Sequence, residues 1–324
     1  MKNRFISLSA VLLFIISAVQ AQELKFRSDS TFRIVQFTDL HYKAGAEPSK
    51  KSISMMRTTL DEQKPDLVVF TGDVVVSPPT KQGWDEVLEV VISRKIPYIV
   101  TLGNHDDESE MKRAEVAAYV ATKPYLLNKI PSIPGVDGYL NAAITVKGKS
   151  GANAAILYAM DSHAYSKIKK VDGYGWFNHN QVDWFQKTSA KFKETQKDTL
   201  PALAFFHIPL PEYRMAFDNI KNRRRGVRYE NECPPSINSG MFAAMVQSGD
   251  VLGTFVGHDH VNDYLVEYYG IGASSAAASP SPRTASWSSP APRARSAPTP
   301  TSPSAGSPRP ASPTARSARP GSCS

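Results

Sequence analysis

Residues 98–107 read YIVTLGNHDD, an apolar run that stops abruptly at a cluster of polar side chains. The run is short and contains β-branched residues, which is typical of a strand buried on both faces of a sheet. Asn104, His105 and Asp106 follow directly after it. The segment therefore predicts a buried strand with chemically useful side chains at its carboxyl end.

The same pattern occurs five more times, and each apolar run again ends in Asp or His. The five segments are FRIVQFTDLH (32–41), DLVVFTGD (66–73), AAILYAMDSH (154–163), ALAFFHIPLP (202–211) and LGTFVGHDH (252–260). Segments with helical periodicity lie between them; one apolar stripe consists of Trp84, Val87, Leu88, Val91 and Ile92. Strands that alternate with helices predict an α/β fold, in which ligands bind beyond the carboxyl ends of the strands.

Seven side chains at these strand ends are candidate metal ligands. They are Asp39, His41, Asp73, Asn104, His207, His258 and His260. Imidazole and carboxylate groups together suit first-row metals such as Fe, Mn, Zn or Co, and this set is large enough for two ions. Asp73 stands alone on a tight glycine turn and is the candidate bridge between them. Taken alone, the twin histidines 258 and 260 would fit an ordinary surface loop equally well.

The ordered motifs resemble those of the calcineurin-like metallophosphoesterase superfamily, and within it the purple-acid-phosphatase-related branch of plants, fungi and bacteria. The motifs are D-x-H (39–41), G-D (72–73), G-N-H-D (103–106), a single His207 and G-H-x-H (257–260). The resemblance runs from about Phe32 to Gly270. It implies a four-layer α/β/β/α sandwich. It also implies a phosphatase or phosphodiesterase that hydrolyses a small phosphorylated substrate, using two metal ions and a metal-bound hydroxide as nucleophile.

The resemblance further implies a role for each site residue. One metal would be held by Asp39, His41 and His260, the other by Asn104, His207 and His258, with Asp73 shared between the two. His105 would face the substrate as a catalytic residue. Asp106 would orient His105, as carboxylates often fix an imidazole ring.

One position departs from the pattern of true purple acid phosphatases. Those enzymes carry a tyrosine three residues after the bridging aspartate, and this tyrosine binds ferric iron. The corresponding residue here is Val76. We therefore expect a pair of divalent or mixed-valence ions without an iron–tyrosinate bond, and the identity of the metals stays open.

Other polar and aromatic residues have ordinary explanations. His163 could line the pocket, but we favour a solvated loop for it, and we expect His179 near the cap of a helix. The run Arg223–Arg225 is expected in a solvated basic loop, although it could attract an anionic substrate. Tyr174 and Trp176 could line the substrate site or could cover an edge of the core.

Residues 1–21 have the layout of a secretory signal peptide. Lys2 and Arg4 precede an apolar stretch, and small or tolerated residues lead up to Ala21. We expect cleavage after Ala21 and export to the periplasm or the medium. An uncleaved membrane anchor is the alternative.

Residues 273–324 consist almost entirely of Ala, Ser, Pro, Thr, Arg and Gly and contain eleven of the 24 prolines. Such a segment buries too little apolar surface to offset the entropy of ordering. We therefore expect a folded domain over residues 22–272 and disorder from residue 273, with the last strands of the implied fold missing or replaced. The segment is either a genuine appendage, such as a wall linker, or the product of a shifted reading frame. The second is favoured because the change falls inside the expected fold.

The charge of the chain gives no indication of a nucleic-acid partner. The C-terminal segment has six arginines and no acid, so most of the net charge of +8 belongs to it. The folded part has no basic stripe that would indicate nucleic-acid binding.

An incomplete sheet would expose a strand edge. The alternative to an enzyme is therefore a catalytically silent metal-binding module with an incomplete fold.

Overall fold

The computed structural model describes residues 23–278 and the strand at 283–288. The predicted signal peptide and most of the C-terminal segment lie outside the described residues. The elements in chain order are β1 (Leu24–Lys25), β2 (Thr31–Phe37), α1 (Glu47–Gln63), β3 (Leu67–Thr71), α2 (Thr80–Ile92), β4 (Tyr98–Thr101), α3 (Arg113–Ala121), β5 (Ala142–Lys147), β6 (Asn153–Ala159), α4 (His179–Gln196), β7 (Ala202–Phe205), α5 (Glu212–Asp218), β8 (Arg224–Val227), α6 (Met241–Ser248), β9 (Val251–Val256), β10 (Asp263–Tyr268), β11 (Ile271–Ser275) and β12 (Arg283–Ser288).

The first sheet has the strand order β12-β2-β3-β4. Its strands β2, β3 and β4 are parallel, and β12 runs antiparallel to β2. The first three helices cover its outer face. The predicted stripe of α2 is confirmed, because Trp84, Val87, Leu88 and Val91 are fully buried in this core.

The second sheet has the order β1-β5-β6-β7-β9-β11-β10-β8. Its central strands β6, β7, β9 and β11 are parallel, and the strands toward its edges add antiparallel pairs. Helices α4, α5 and α6 pack on its outer face through residues such as Phe185, Tyr213 and Met241. A third apolar cluster, including Ile34 and Leu157, fills the space between the two sheets. The predicted four-layer α/β/β/α sandwich is confirmed.

The strand directions bring the polar motifs together. Strands β2, β3 and β4 of the first sheet end shortly before the D-x-H, G-D and G-N-H-D motifs, and β7 and β9 of the second sheet end before His207 and G-H-x-H. The carboxyl ends of parallel strands open at one edge of a sheet. One end of the sandwich therefore collects side chains from both sheets.

Two C-terminal strands correct the expectation of disorder from residue 273. Strand β11 crosses that boundary and pairs with β9 on one side and β10 on the other, and Ala273, Ser274 and Ser275 are buried. Strand β12 pairs with β2 along six residues. Because β11 lies between two strands, backbone hydrogen bonds on both sides order it although most of its own side chains are small. Composition alone overlooks this contribution.

The basic run is also structured differently from the prediction. Arg224 and Arg225 belong to β8, which pairs with β10 at the edge of the second sheet, where a loop was expected. All four residues of β8 are exposed. Charged side chains on an edge strand oppose pairing with another chain. Within the described ranges, none of the helices combines the length and the apolar character that crossing a membrane requires.

Candidate metal centre

The seven predicted ligands meet at this end of the sandwich in two groups that share one residue. The first group consists of Asp39, His41, Asp73 and His260, and the second of Asp73, His207 and His258; within each group the ligand atoms lie within 4.8 Å of one another. Asn104 adjoins the second group, since its Oδ1 lies 3.2 Å from Nε2 of His207.

The loops that carry the first group are held together by their backbones. The N–H of Asp39 donates to the carbonyl of Gly72, and the N–H of His41 donates to the carbonyl of Asp73, both at 3.0 Å. Asp39, His41, Asp73 and His258 all have positive φ angles, between 43° and 76°. Non-glycine residues in this conformation cost about 1–3 kcal/mol each and cluster at functional sites. The backbone after these strands therefore adopts a conformation that local preference disfavours and that the surrounding site maintains.

Two motif glycines are required because atoms of neighbouring loops lie close to their Cα atoms. A Cβ on Gly103 would lie 2.1 Å from Oδ1 of Asp73, and a Cβ on Gly257 would lie 1.8 Å from Oγ1 of Thr38. No side chain fits at either position. The glycines of G-N-H-D and G-H-x-H thus allow the two carboxylate-bearing turns to pack against neighbouring loops.

Asp73 occupies the position between the two groups. Its Oδ1 accepts a hydrogen bond from the backbone N–H of His105 at 2.8 Å. Its Oδ2 lies 3.2 Å from Nε2 of His207 and 3.6 Å from Nε2 of His41. One oxygen therefore fixes the side chain, and the other faces imidazoles from both groups.

Asp39 is arranged in the same way. Its Oδ2 accepts from the hydroxyl of Thr38 at 2.6 Å and from the backbone N–H of His258 at 3.0 Å. Its Oδ1 lies 3.5 Å from Nε2 of His260. Asp39 thus presents a single free oxygen to the first group.

Several of the converging atoms are buried without a hydrogen-bond partner. They are Oδ1 of Asp39, Nε2 of His41, Oδ2 of Asp73 and Nε2 of His258. Leaving a buried polar atom unsatisfied costs about 1–3 kcal/mol, more for a charged one. These four atoms belong to the two ligand groups and fit metal ions, because a cation in each group would satisfy the unpaired atoms there.

His207 is oriented for the same purpose. Its Nδ1 lies 2.7 Å from the carbonyl oxygen of Thr71, which can only accept, so Nδ1 carries the proton. In the neutral ring, Nε2 then offers its lone pair to the space beside Asp73. Hydrogen bonds of this kind commonly fix the tautomer of a ligating histidine.

The charges of the cluster also call for a cation. Burial lowers the pKa of His207, but the negative charges of Asp73 and Asp39 outweigh it and raise the pKa to about 9. Burial and the neighbouring His207 lower the pKa of His258 to about 3. Without a metal, a proton on His207 supplies the positive charge that the two carboxylates require.

The predicted role of Asp106 is wrong. Its carboxylate contacts no ring nitrogen and instead accepts four backbone N–H groups at 2.8–3.0 Å, namely those of Gly103, Asp73, Val74 and Val75. The side chain is fully buried beneath the turn. Asp106 is engaged by these donors because it lies between the loops after β3 and β4. It shapes the turn that presents Asp73.

His105 lies at the open side of the cluster. Its side chain is 33% exposed, and its ring centroid lies 5.3 Å from that of His41. Its Nδ1 is hydrogen-bonded to Oε2 of Glu108, which is the carboxylate that orients this ring. The sequence contained only a weak signal for Glu108, an acidic residue three positions after His105.

An aromatic pair borders the second group. The ring of Tyr174 meets His258 edge-on with 4.3 Å between centroids, and Tyr165 stacks on Tyr174 at 5.6 Å. Tyr174 therefore lies at the site, as one of its two predicted alternatives proposed. Trp176, two residues later in the chain, lines a small pocket with Ser162, and neither Tyr174 nor any candidate ligand belongs to the lining of that pocket. Nothing in the sequence pointed to Tyr165.

The remaining predicted residues fall outside the two groups. His163 Nε2 lies 2.7 Å from Oε1 of Gln181, and His163 is half-buried. His179 begins α4, directly after its cap residue Asn178, so the expectation for His179 is confirmed.

A buried ion pair that the sequence did not reveal supports the loop after β4. Arg113 donates to both carboxylate oxygens of Asp161, at 3.1 and 2.5 Å. The same guanidinium donates to the carbonyls of Leu102 and Gly103. Arg113 therefore joins the loop before Asn104 to the end of β6.

Comparison with known proteins places this geometry in a family. The profile of the calcineurin-like phosphoesterases matches residues 32–262, a range that includes every candidate ligand. The chain is 34% identical over 300 residues to the probable inactive purple acid phosphatase 29 of Arabidopsis thaliana, spanning 82% of this chain and 77% of that protein. It is 33% identical over 278 residues to the phosphatase DCR2 of Saccharomyces cerevisiae, spanning 76% of this chain and 47% of that protein.

A solved structure shares the fold. A dimetal phosphatase from Danio rerio superimposes with a TM-score of 0.52, covering 75% of this chain and 86% of that one. The two sequences are 14% identical, so the likeness concerns the architecture alone.

Proposed function

The chain belongs to the calcineurin-like phosphoesterase family, and from that premise we propose that it is a hydrolase of phosphoric esters that works with two metal ions. The observation that carries the proposal is the pair of ligand groups sharing Asp73, whose free oxygen faces both His41 and His207. Mixed imidazole, carboxylate and amide donors suit Fe, Mn, Zn or Co.

Each side chain has a place in this proposal. Asp39, His41 and His260 would hold one ion, while Asn104, His207 and His258 would hold the other. Asp73 would lie between them. Bound ions of this type polarise phosphoryl oxygens and lower the pKa of water.

His105 is the proposed proton donor to the leaving group. It lies on the open side of the cluster, beside His41, and its backbone N–H is tied to Asp73. The carboxylate of Glu108 only accepts, so Nδ1 carries a proton, and Nε2 would donate to the leaving-group oxygen when the ring is in its doubly protonated form. Proton transfer from a positioned histidine contributes typically about 10²–10⁴-fold to the rate.

The absence of a tyrosine at Val76 bears on the metals. Among the nearby tyrosines of the described chain, the hydroxyl of Tyr42 is bonded to Glu86, and Tyr174 meets His258 with its ring. We therefore expect an iron-loaded protein to lack the visible absorption of a ferric tyrosinate. A band of that kind would contradict this part of the proposal.

A silent metal-binding module is the second candidate, and the names of relatives favour it. The Arabidopsis thaliana relative described above is called probable inactive. The two candidates differ in turnover and not in metal content. Both therefore have to be tested on protein whose metals have been measured.

The decisive experiment loads the purified protein with Mn, Zn or Fe and measures hydrolysis of p-nitrophenyl phosphate and of its bis-ester. Asp73→Asn is expected to lose metal and activity together, whereas His105→Ala keeps its metal and loses activity. His179→Ala, an exposed histidine at the start of α4, serves as the control. Wild-type protein that holds two ions and turns over neither ester would establish the silent module. The ratio of monoester to diester turnover defines the substrate class.

Export is proposed from the N-terminal sequence alone. If residues 1–21 direct secretion, the mature protein in the periplasm or the medium begins at Gln22. N-terminal sequencing of the fractionated protein checks this. Protein that retains Met1 in the membrane fraction would indicate an anchor.

A further inference from the structure

One carboxylate outside the ligand set touches two groups at the site. Glu108 follows the G-N-H-D motif, and its Oε2 is hydrogen-bonded to Nδ1 of His105. Its Oε1 accepts the phenolic proton of Tyr165 at 2.8 Å. Tyr165 lies on the loop after β6 in the second sheet, whereas Glu108 follows β4 in the first. The carboxylate thus connects loops from both sheets beside the proposed metals.

The direction of these hydrogen bonds follows from their chemistry. An ionised carboxylate only accepts, so the Tyr165 hydroxyl donates to Glu108 and keeps its oxygen lone pair for another donor. The side-chain amide nitrogen of Asn104 lies 3.3 Å from that oxygen. The amide therefore donates to Tyr165, and its other atom, Oδ1, faces His207 and the second ligand group.

Tyr165 is held in place independently of Glu108. The segment around it forms a strap, residues 164–175, in which Ser166 N–H donates to Gly173 and Gly175 N–H donates to Ala164, both at 2.9 Å. Its ring stacks on Tyr174. The hydroxyl is therefore presented to Asn104 by a segment held through backbone hydrogen bonds and ring stacking, which suits it to selecting one orientation of the amide.

We propose that Glu108 and Tyr165 are positioning residues of the active site, with one function each. Glu108 fixes the tautomer and ring orientation of His105. Tyr165 fixes the side-chain amide of Asn104 so that its oxygen, and not its nitrogen, is offered to the second metal. The proposal rests on the proposed function for its consequences in catalysis, but both orientations are properties of the protein that can be measured without turnover.

The Asn104 branch is tested through metal affinity. Tyr165→Phe removes the hydroxyl and keeps the stacked ring, and we expect the Kd of the more weakly bound Mn²⁺ or Zn²⁺ to rise about 10–100-fold, the usual effect of losing such a partner. The control is Tyr119→Phe in α3, which removes a hydroxyl that donates to Asp85 at the surface. We expect it to leave the affinity for both metals unchanged. In an Asn104→Ala background, Tyr165→Phe should have no further effect on affinity.

The His105 branch is tested through the ring itself. Glu108→Gln keeps the size of the side chain and removes its charge. In ¹⁵N spectra of histidine-labelled protein, recorded at a pH where the ring is neutral, we expect the His105 signals to move from the Nδ1-protonated tautomer toward a mixture of tautomers. With metal content unchanged, kcat should fall about 10–100-fold with little change in KM. Glu115→Gln, which alters a carboxylate that accepts the backbone N–H of Lys112, is the matched control.

A double-mutant cycle separates positioning from general damage. If Glu108 acts through His105, the loss of kcat caused by Glu108→Gln disappears in the His105→Ala background. A loss that persists at full size there, or a Tyr165→Phe variant that binds both metals as tightly as the wild type, would overturn the proposal. If the wild type hydrolyses no ester, the proposed function fails, while the affinity and tautomer measurements still decide the inference.

Discussion

The carboxylate of Asp106 accepts the backbone N–H of Asp73 at 3.0 Å, so a residue of the G-N-H-D motif holds the turn that carries the proposed shared metal ligand. The two residues come from loops that follow neighbouring parallel strands, β3 and β4. The D of this motif is therefore a structural element of the metal site, since it organises backbone and does not face the substrate.

Replacing Asp106 tests this arrangement. In Asp106→Asn, an NH₂ group replaces one carboxylate oxygen, so the backbone N–H groups that it faces lose their acceptor. Leaving a buried donor without an acceptor costs about 1–3 kcal/mol. We expect lower stability in urea together with weaker binding of both metals. Asp107→Asn alters the next carboxylate, which pairs with Arg113 instead of the turn, and should leave metal affinity intact. Unchanged affinity in Asp106→Asn would contradict the assignment.

Gly257→Ala tests the close approach of the G-H-x-H loop. The new Cβ would meet Oγ1 of Thr38 and Oδ2 of Asp39, at 1.8 and 2.3 Å, so the loop has to move away from Asp39. We expect the ion proposed to bind Asp39, His41 and His260 to be lost first, measured as a fall from two metals per chain to one. Gly45→Ala has a positive φ and open space around it, so it adds backbone strain without affecting the metals.

Arg113→Met tests the support beneath Asn104. The substitution leaves Asp161 buried without its counter-charge, and breaking a buried pair from one side costs about 3–5 kcal/mol. Urea unfolding of the metal-free protein measures the loss. Arg94→Met breaks an ion pair with the exposed Asp61 and should cost less than about 1 kcal/mol. Equal effects from the two variants would show that burial of the Arg113 pair has no energetic consequence.

The pKa of His207 predicts how metal binding depends on pH. Because the pKa is raised to about 9 in the metal-free protein, a proton has to leave before Nε2 can bind a metal. Affinity at the second group should therefore rise with pH, by up to about tenfold per unit between pH 6 and 8. Chelator competition across this range measures it, and an affinity independent of pH would contradict the prediction.

The stability of the metal-free protein changes in the opposite direction. The folded pKa of His207 lies above its ordinary value of 6.5, so the stabilisation from its contacts with Asp73 and Asp39 is complete below about pH 6.5. It is lost as the pH rises through about 9. Urea unfolding of metal-free protein at several pH values checks this. A saturating metal should suppress the dependence, since the ion replaces the proton.

Much of the architecture was predictable because one sequence pattern recurs at most of the central strands. A short apolar run followed by Asp, Asn or His marks both a buried strand and the edge where the strands open, as the runs before Asp73 and His207 show. The stripe from Trp84 to Val91 identified α2 because helix periodicity is local. The candidate ligands followed from these strand ends together with the resemblance.

The rest depends on contacts between distant segments. Asp106 carries no mark in the sequence that separates a backbone acceptor from a partner for His105. Glu108 and Tyr165 lie on loops that follow strands of different sheets, and only the fold brings their side-chain oxygens within 2.8 Å. Strand β11 was missed because its order comes from β9 and β10, which flank it, and not from its own small side chains.

The spacing of the ligands along the chain has a consequence for how the protein acquires its metals. The first, Asp39, precedes α1, and the last, His260, follows β9, so no contiguous part of the chain shorter than this contains the whole set. A nascent chain emerging from the ribosome can assemble neither group until β9 has been synthesised and has joined its sheet. A complete proposed site therefore cannot form before residues from both sheets have come together, and metal binding would depend on that assembly.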